Sequence, residues 1–143
     1  MTNKDLTSDL IEIIPIAMRA IRSEMRGLAL PELSVAQFRI LSRLAREPQS
    51  NKQIAEWVGI STAAMSRTIE VLVSRHLVQR KREALKDRRE VVLCLTSAGK
   101  RKYEDIKFAT KLKLKHRVVK LSVTEQRKLQ AALKILSELF NDK

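Results

Sequence analysis

Apolar residues in the first thirty positions recur every three to four residues and predict one long amphipathic helix starting near Leu6. Its stripe consists of Leu10, Ile13, Ile14, Ala17, Met18, Ile21, Met25 and Leu28. Pro15 lies within this pattern, so we expect it to kink the helix or to delay its regular start. The stripe is longer than a helix needs if it covers only its own domain.

Two shorter helices follow, and the same start signal marks both. Ser34–Gln37 (SVAQ) and Ser50–Gln53 (SNKQ) are capping boxes, in which a serine hydroxyl and a glutamine side chain reciprocally satisfy free backbone donors. The second helix is expected to end at Gly59. The apolar face of the first contains Val35, Phe38, Leu41, Leu44 and Ala45, and that of the second contains Ile54, Ala55 and Val58.

A third helix is predicted from Ser61, a favourable N-cap, to about Arg75. Only Gly59 and Ile60 separate it from the preceding helix, and such a pair forms a helix-turn-helix. Small residues let a helix approach the DNA major groove closely, and arginine binds guanine or phosphate. A plain solvated face would show the same pattern, so this face alone leaves both interpretations open. We expect a core face of Met65, Ile69 and Leu72 and an outward face of Thr62, Ala63, Ser66, Arg67 and Glu70.

Two strand-length runs come next, LVQRKR (77–82) and EVVLCL (90–95). They predict an antiparallel hairpin, with the seven residues EALKDRR as a long, flexible loop. Seven basic residues and three acidic ones lie between Arg75 and Glu90. A basic ribbon can straddle a phosphate backbone and place an arginine in the minor groove. A solvated charged loop is the alternative, but the position directly after a helix-turn-helix favours DNA contact.

Two further helices complete the chain. Thr96 caps the first, which carries nine Lys and Arg residues between Lys100 and Lys120. The last opens with a third capping box, Ser122–Glu125 (SVTE). With the first helix, these make three amphipathic helices outside the helix-turn-helix, and we expect them to pack on a second copy of the chain. The apolar residues are Tyr103, Ile106, Phe108, Leu112, Leu114 and Val118 in the fifth helix, and Leu129, Ala132, Leu133, Leu136, Leu139 and Phe140 in the last.

Composition narrows the class of protein. The 143 residues suit one domain, and 29 Lys and Arg against 16 Asp and Glu give a formal charge of +13. This excess favours a polyanionic partner, nucleic acid or an acidic membrane surface, over a merely basic soluble protein. A single cysteine, Cys94, excludes an intrachain disulfide, and we recognise no signal peptide or membrane-spanning run. The expected location is the cytoplasm, with no membrane partner.

Catalytic and metal motifs are missing from the sequence. It contains no nucleophile elbow, phosphate-cradling glycine loop or paired carboxylates in a plausible pocket. His76 and His116 lie far apart, and neither has a carboxylate or thiol at ligand spacing. We therefore expect neither enzymatic activity, nor a cofactor, nor a metal.

The chain resembles the multiple-antibiotic-resistance-regulator (MarR) family of bacterial winged-helix repressors over its whole length. The resemblance rests on LSVAQFRILSRL (33–44), NKQIAEWVGIS (51–61), MSRTIEVLVSRHLV (65–78) and KDRREVVLCLTSAG (86–99). It implies a mainly α fold in one domain spanning residues 1–143, with a winged helix-turn-helix lobe at about 34–96. Helices at about 5–30 and 97–141 would form a homodimer that binds double-stranded DNA at a palindromic operator.

The resemblance also assigns candidate DNA contacts. The recognition-helix residues it implies are Ser61, Thr62, Ala63, Ser66 and Arg67, and the wing residues are Arg82, Lys86, Asp87, Arg88 and Arg89. Arg89 would enter the minor groove, Asp87 would orient it, and Arg82 would touch phosphate. His76 replaces the usual family glycine, so we expect a left-handed backbone there.

Regulation is less well defined by the sequence. Many relatives are displaced from DNA by small aromatic or phenolic acids bound between lobe and stem, so such an effector is an expected partner. Trp57 and Arg26 could border that cleft, but we interpret Trp57 as core packing and nominate no ligand residues. Cys94 lies in a wing strand, not near the N-terminus as in the peroxide-sensing branch, and we expect a buried small side chain. Non-specific DNA coating and a winged-helix protein-interaction module remain alternatives.

Overall fold

The computed structural model describes residues 5–29, 33–85 and 88–141, without the side chains of 28, 29, 35, 83–85 and 88–90. Within these ranges the fold is mainly helical, as predicted, with a single two-stranded sheet. The elements in chain order are α1 (Leu6–Ala29), α2 (Val35–Leu44), α3 (Asn51–Val58), α4 (Thr62–Ser74), β1 (Val78–Leu85), β2 (Arg88–Leu95), α5 (Ser97–Val118) and α6 (Val123–Leu139).

Helix α1 is continuous through Pro15. The predicted delayed start is therefore wrong, because the helix is already regular from Leu6. Proline removes one backbone donor, the one that would bond to the carbonyl of Ile11, and Ile11 is exposed where water can satisfy that carbonyl. Before the helix, Asp5 accepts hydrogen bonds from the Thr7 hydroxyl and the Ser8 amide, and these bonds lower its pKa.

The core of the lobe lies between α2, α3, α4 and the sheet. The predicted core face of α4 is confirmed, since Met65, Ile69 and Leu72 are all fully buried. In α2 the buried residues are Ile40, Leu41 and Leu44. Ala45 is the exposed C-cap, so its predicted place in the core face is wrong: the helix ends before that position can turn inward. The remaining core residues are Leu33, Ile54, Ala55, Val78, Leu93 and Ile106.

The three predicted capping boxes are all present. Ser34 with Gln37, Ser50 with Gln53 and Ser122 with Glu125 each make both reciprocal bonds, at 2.9–3.1 Å. Each bond joins residues only three apart in the chain. These helix starts are consequently fixed by local chemistry.

The chain adopts a left-handed backbone conformation directly after α3 and shortly after α4. Gly59 has a φ of 79° and His76 a φ of 59°, as expected for both positions. Thr96 then ties the second exit to α5: its hydroxyl donates to the His76 carbonyl at 2.6 Å and accepts from the Gly99 amide at 2.9 Å. A Cβ on Gly99 would lie 2.0 Å from the Leu77 carbonyl oxygen, so only glycine fits this approach.

The hairpin is longer than the sequence predicted. β1 and β2 pair antiparallel from Val78 opposite Leu95 to Leu85 opposite Arg88. The predicted seven-residue flexible loop is therefore wrong, since most of EALKDRR belongs to the strands. Ladder hydrogen bonds come from the backbone, and charged side chains are accepted where a two-stranded ribbon faces water. On the other side of β2, Gln49 forms an isolated antiparallel bridge with Leu93, with backbone hydrogen bonds of 3.1 and 2.7 Å.

Helices α1, α5 and α6 carry apolar surface that the chain does not cover. Ile106 of α5 is buried, but Phe108, Leu112 and Val118 are exposed. α6 has no buried residue. Its predicted apolar face is confirmed as an exposed one, with Leu129, Leu133, Leu139 and Phe140 each about half or more accessible.

Candidate nucleic-acid interface

The first turns of α4 form an exposed surface. Ser61 caps the helix by accepting the Ala64 amide at 3.1 Å, and Thr62, Ala63 and Arg67 are exposed. Because Met65 is fully buried on the opposite face, the orientation of this helix is fixed. The N-terminal turns therefore present two small residues and an arginine, a set that suits close approach to a groove.

Ser66 differs from its neighbours. It is half-buried, and its hydroxyl oxygen accepts a 2.7 Å hydrogen bond from the Asn51 side-chain nitrogen at the start of α3. The side-chain oxygen of Asn51, Oδ1, is buried and has no hydrogen-bond partner among the described residues. The sequence did not predict this role of Asn51, because the local pattern around it does not indicate a contact with a residue fifteen positions later. Asn51 thereby holds the two helices of the helix-turn-helix together through a candidate DNA contact.

A second unpredicted contact joins α4 to the wing. The Arg80 guanidinium of β1 donates to the Glu70 carboxylate of α4 in an ion pair. Glu70 was expected only to point outward. The pair also connects the candidate recognition helix to the strand that follows it through one exposed contact.

The wing presents cations along β1. Arg80, Lys81 and Arg82 are all exposed, and Arg82 lies opposite Val91 in the ladder. Arg88 and Arg89 belong to β2, where their backbones pair with Leu85 and Ala84, but their side chains are not described. Lys86 and Asp87 lie outside the described residues. The structure therefore places Arg82 in the wing strand beside α4, and the roles of the wing tip remain predictions.

Trp57 is not core packing. Its side chain is 42% exposed, and the guanidinium carbons of Arg39 and Arg43 lie 5.3 and 5.1 Å from its ring centroid. α3 is only eight residues long, and its core positions are taken by Ile54 and Ala55. A cleft of about 280 Å³ lies beside the ring, bounded by Met18, Ile21, Arg22, Met25, Phe38, Arg39 and Ser42. Arg22 of α1, rather than Arg26, reaches it.

Cys94 is half-buried, not fully buried, and its thiol donates a weak 3.7 Å hydrogen bond to the Gln79 carbonyl of the opposite strand. Over the described ranges, no three His, Cys, Asp or Glu side chains group together as metal ligands.

Residues 32–90 match the family model described as "MarR family". The resemblance to the MarR family is confirmed. The matched segment contains α2 to β1 and the start of β2, so it covers the MarR-type helix-turn-helix and most of the wing.

Solved structures share the fold across nearly the whole chain. A MarR family protein from Bacillus stearothermophilus superposes with a TM-score of 0.83 at 15% identity, covering 99% of this chain and 100% of its own. Apo MarR from E. coli gives a TM-score of 0.75 at 20% identity, with 89% and 96% coverage. The transcriptional regulator BldR from Sulfolobus solfataricus gives 0.72 at 23% identity, with 96% and 99% coverage.

No curated protein matches the chain in sequence. Among the helices that the structure describes, none is long and apolar enough to cross a membrane.

Proposed function

We propose that the protein is a sequence-specific, double-stranded DNA-binding transcriptional regulator that acts in the cytoplasm. The observation that carries this proposal is the exposed N-terminal end of α4, with Arg67, joined to a basic ribbon through Glu70 and Arg80. A helix of this kind reads base edges in the major groove, while the neighbouring cations neutralise phosphates. Its recognition residues would be Ser61, Thr62, Ala63, Ser66 and Arg67.

The wing completes the proposed interface. Arg82 would touch backbone phosphate, and Arg89, with Arg88 beside it and Asp87 orienting it, would enter the minor groove; Lys86 adds charge at the tip. Narrow minor grooves concentrate negative potential and attract arginine. Every neutralised phosphate releases counterions, so affinity should fall steeply as salt increases.

The proposed active form is a homodimer on a palindromic operator. Exposed apolar residues on α1, α5 and α6 support this assembly, since monomeric soluble proteins rarely leave such large faces uncovered. The lobe at about 34–96 would bind DNA, and the helices at about 5–30 and 97–141 would form the dimer. Two recognition helices would then read half-sites about 34–36 Å apart, and binding across a promoter would repress it.

The cleft beside Trp57 supports an effector. It lies where α1 meets α2 and α3, and it combines an apolar lining with the cationic Arg22 and Arg39. A small aromatic or phenolic acid matches this chemistry, with its ring on Phe38 or Trp57 and its carboxylate on an arginine. Binding there would change the separation of the two lobes, so scattering should report a change in lobe spacing whenever a ligand changes DNA affinity.

The deciding experiment compares the DNA upstream of the protein's own gene with a scrambled duplex of equal length, by fluorescence anisotropy across a salt series. Selective binding near physiological salt, with two chains per site, supports the proposal. Equal binding to both duplexes that vanishes with salt favours non-specific coating, unless a genome-wide search finds another site. Similar affinity for any polyanion would favour a protein-interaction module with an acidic partner.

A further inference from the structure

A second cleft lies in the stem, between α1 and the C-terminal half of α5. Its volume is about 600 Å³. Its lining is Glu24 from α1, Lys113, His116 and Arg117 from α5, and Lys120, which lies two residues beyond the end of α5. All five lining side chains are ionisable, whereas apolar and aromatic side chains make up most of the lining beside Trp57. The two clefts therefore differ in the ligand chemistry they can accept.

Positive charge in this stem cleft exceeds negative charge. The one lining carboxylate, Glu24, is paired with Arg117 at 3.5 Å. Lys113 and Lys120 have no ion pair with any described residue. The C-terminal ends of α1 and α5 lie nearby, and each carries about half a negative charge from its backbone dipoles. Together these ends offset about one of the two remaining charges, which leaves the cleft positive.

Lys113 is held inside the cleft by the shape of α1. Its side chain is half-buried, and a Cβ on Gly27 would lie 3.1 Å from its ammonium nitrogen. Glycine at this position therefore lets the ammonium rest against the backbone of α1. Lys111 and Lys115, on the same helix, are exposed and do not line the cleft. The half-buried position of Lys113 separates it from an ordinary solvated lysine.

We propose that the stem cleft binds a small phosphate-type polyanion, such as inorganic pyrophosphate or a metabolite that carries a diphosphate. Lysine ammonium groups bind phosphate as point charges, and the Arg117 guanidinium can donate two parallel hydrogen bonds to one phosphate. The volume accommodates more than a single phosphate group.

The experiment measures pyrophosphate binding to the full-length protein by isothermal titration calorimetry, without DNA and at constant ionic strength. The cleft variant is Lys113→Gln with Lys120→Gln, and the matched control is Lys111→Gln with Lys115→Gln, which removes the same charge from nearby positions of α5. Because a hydrogen bond to a charged group contributes about tenfold in affinity, we expect the cleft variant to bind at least about tenfold more weakly. The control should stay within about twofold.

The following results would overturn the proposal. Equal weakening in both variants would mean that general attraction of anions, not a site, explains binding. If neither pyrophosphate nor tripolyphosphate binds detectably to the unaltered protein, phosphate-type polyanions are excluded as ligands of the cleft. If the unaltered protein does not bind pyrophosphate and the cleft variant dissociates the dimer, then the cleft lysines pair with acidic residues of a partner chain instead of with an anion. If the double variant does not fold, Lys120→Gln alone is compared with Lys115→Gln, since both side chains are exposed.

DNA binding is measured separately for the same variants. Because the titration contains no DNA, its result for pyrophosphate binding does not depend on whether the protein binds DNA as proposed. A cleft variant that loses DNA affinity but keeps pyrophosphate affinity would show that these lysines serve nucleic-acid phosphate, and the proposal would be wrong.

Discussion

Glu70 of α4 and Arg80 of β1 form an ion pair across ten residues of chain, so the candidate recognition helix and the wing share one electrostatic contact. Both side chains are substantially exposed, so solvent screens the pair and its contribution to stability is small. We expect its effect to be on geometry, because it directs a cation next to a surface that would read DNA.

Replacing Glu70 with Gln should reduce sequence discrimination more than stability. The expected loss in the ratio of specific to non-specific affinity is about 1.4- to fivefold, the size of an exposed ion pair's contribution of about 0.2–1 kcal/mol. Non-specific affinity should rise, since a negative charge is removed. Anisotropy on operator and scrambled duplexes measures both, with Glu56→Gln as a control that makes the same charge change on an exposed residue of α3. If sequence discrimination changes equally in the Glu70→Gln and Glu56→Gln variants, the Glu70–Arg80 ion pair has no positioning role.

Arg67→Ala tests direct reading of a base. We expect a loss of about 1–3 kcal/mol in operator affinity and relaxed preference at one base position of each half-site. Arg82→Ala, on the exposed wing strand, should instead weaken binding similarly for all sequences and lower the salt slope by about one. Anisotropy on a panel of single-base variants separates the two patterns. Unchanged affinity and specificity for Arg67→Ala would mean that the helix is assigned wrongly.

Arg89→Ala tests the proposed contact with the minor groove. We expect weaker binding, with most of the loss on operators whose flanks are A·T-rich, because narrow grooves attract arginine most strongly. The measurement compares duplexes with A·T-rich and G·C-rich flanks. A loss that is the same for both flanks would assign Arg89 to phosphate instead.

Gly99→Ala should destabilise the lobe by about 1–3 kcal/mol or more, because its new methyl group would collide with the backbone oxygen of Leu77. The neighbouring Ala98→Gly, at an exposed helical position, should cost about 1 kcal/mol or less. Urea unfolding followed by circular dichroism gives both values. Equal stability of the two variants would contradict the close approach of α5 to the end of α4.

His76→Gly and His76→Ala form a matched pair at the left-handed exit of α4. With φ at 59°, the glycine variant should be more stable than the alanine variant by about 1 kcal/mol, because a Cβ is strained in this region. Thermal unfolding compares them directly. The reverse order would mean that the backbone at 76 is not left-handed in solution.

The sequence by itself determined the features that depend on neighbouring residues. Ser34, Ser50 and Ser122 each cap a helix through a residue three positions later, and Gly59 ends α3 through its own φ, so local chemistry suffices. The periodicity of α4 identified its buried face for the same reason, since Met65, Ile69 and Leu72 follow the helical repeat.

Tertiary structure alone decided the contacts between residues that are distant in sequence. Asn51 reaches Ser66, Glu70 reaches Arg80, and Gly27 makes room for Lys113 across eighty-six positions. The length of the hairpin was also decided there, since backbone pairing extends strands through charged residues whose pattern resembles a loop. Trp57 stays half-exposed because the core positions of α3 are filled by smaller side chains, and its large ring then borders the cleft against α1. Local patterns specify where elements begin and which face is apolar, but packing specifies which surfaces meet.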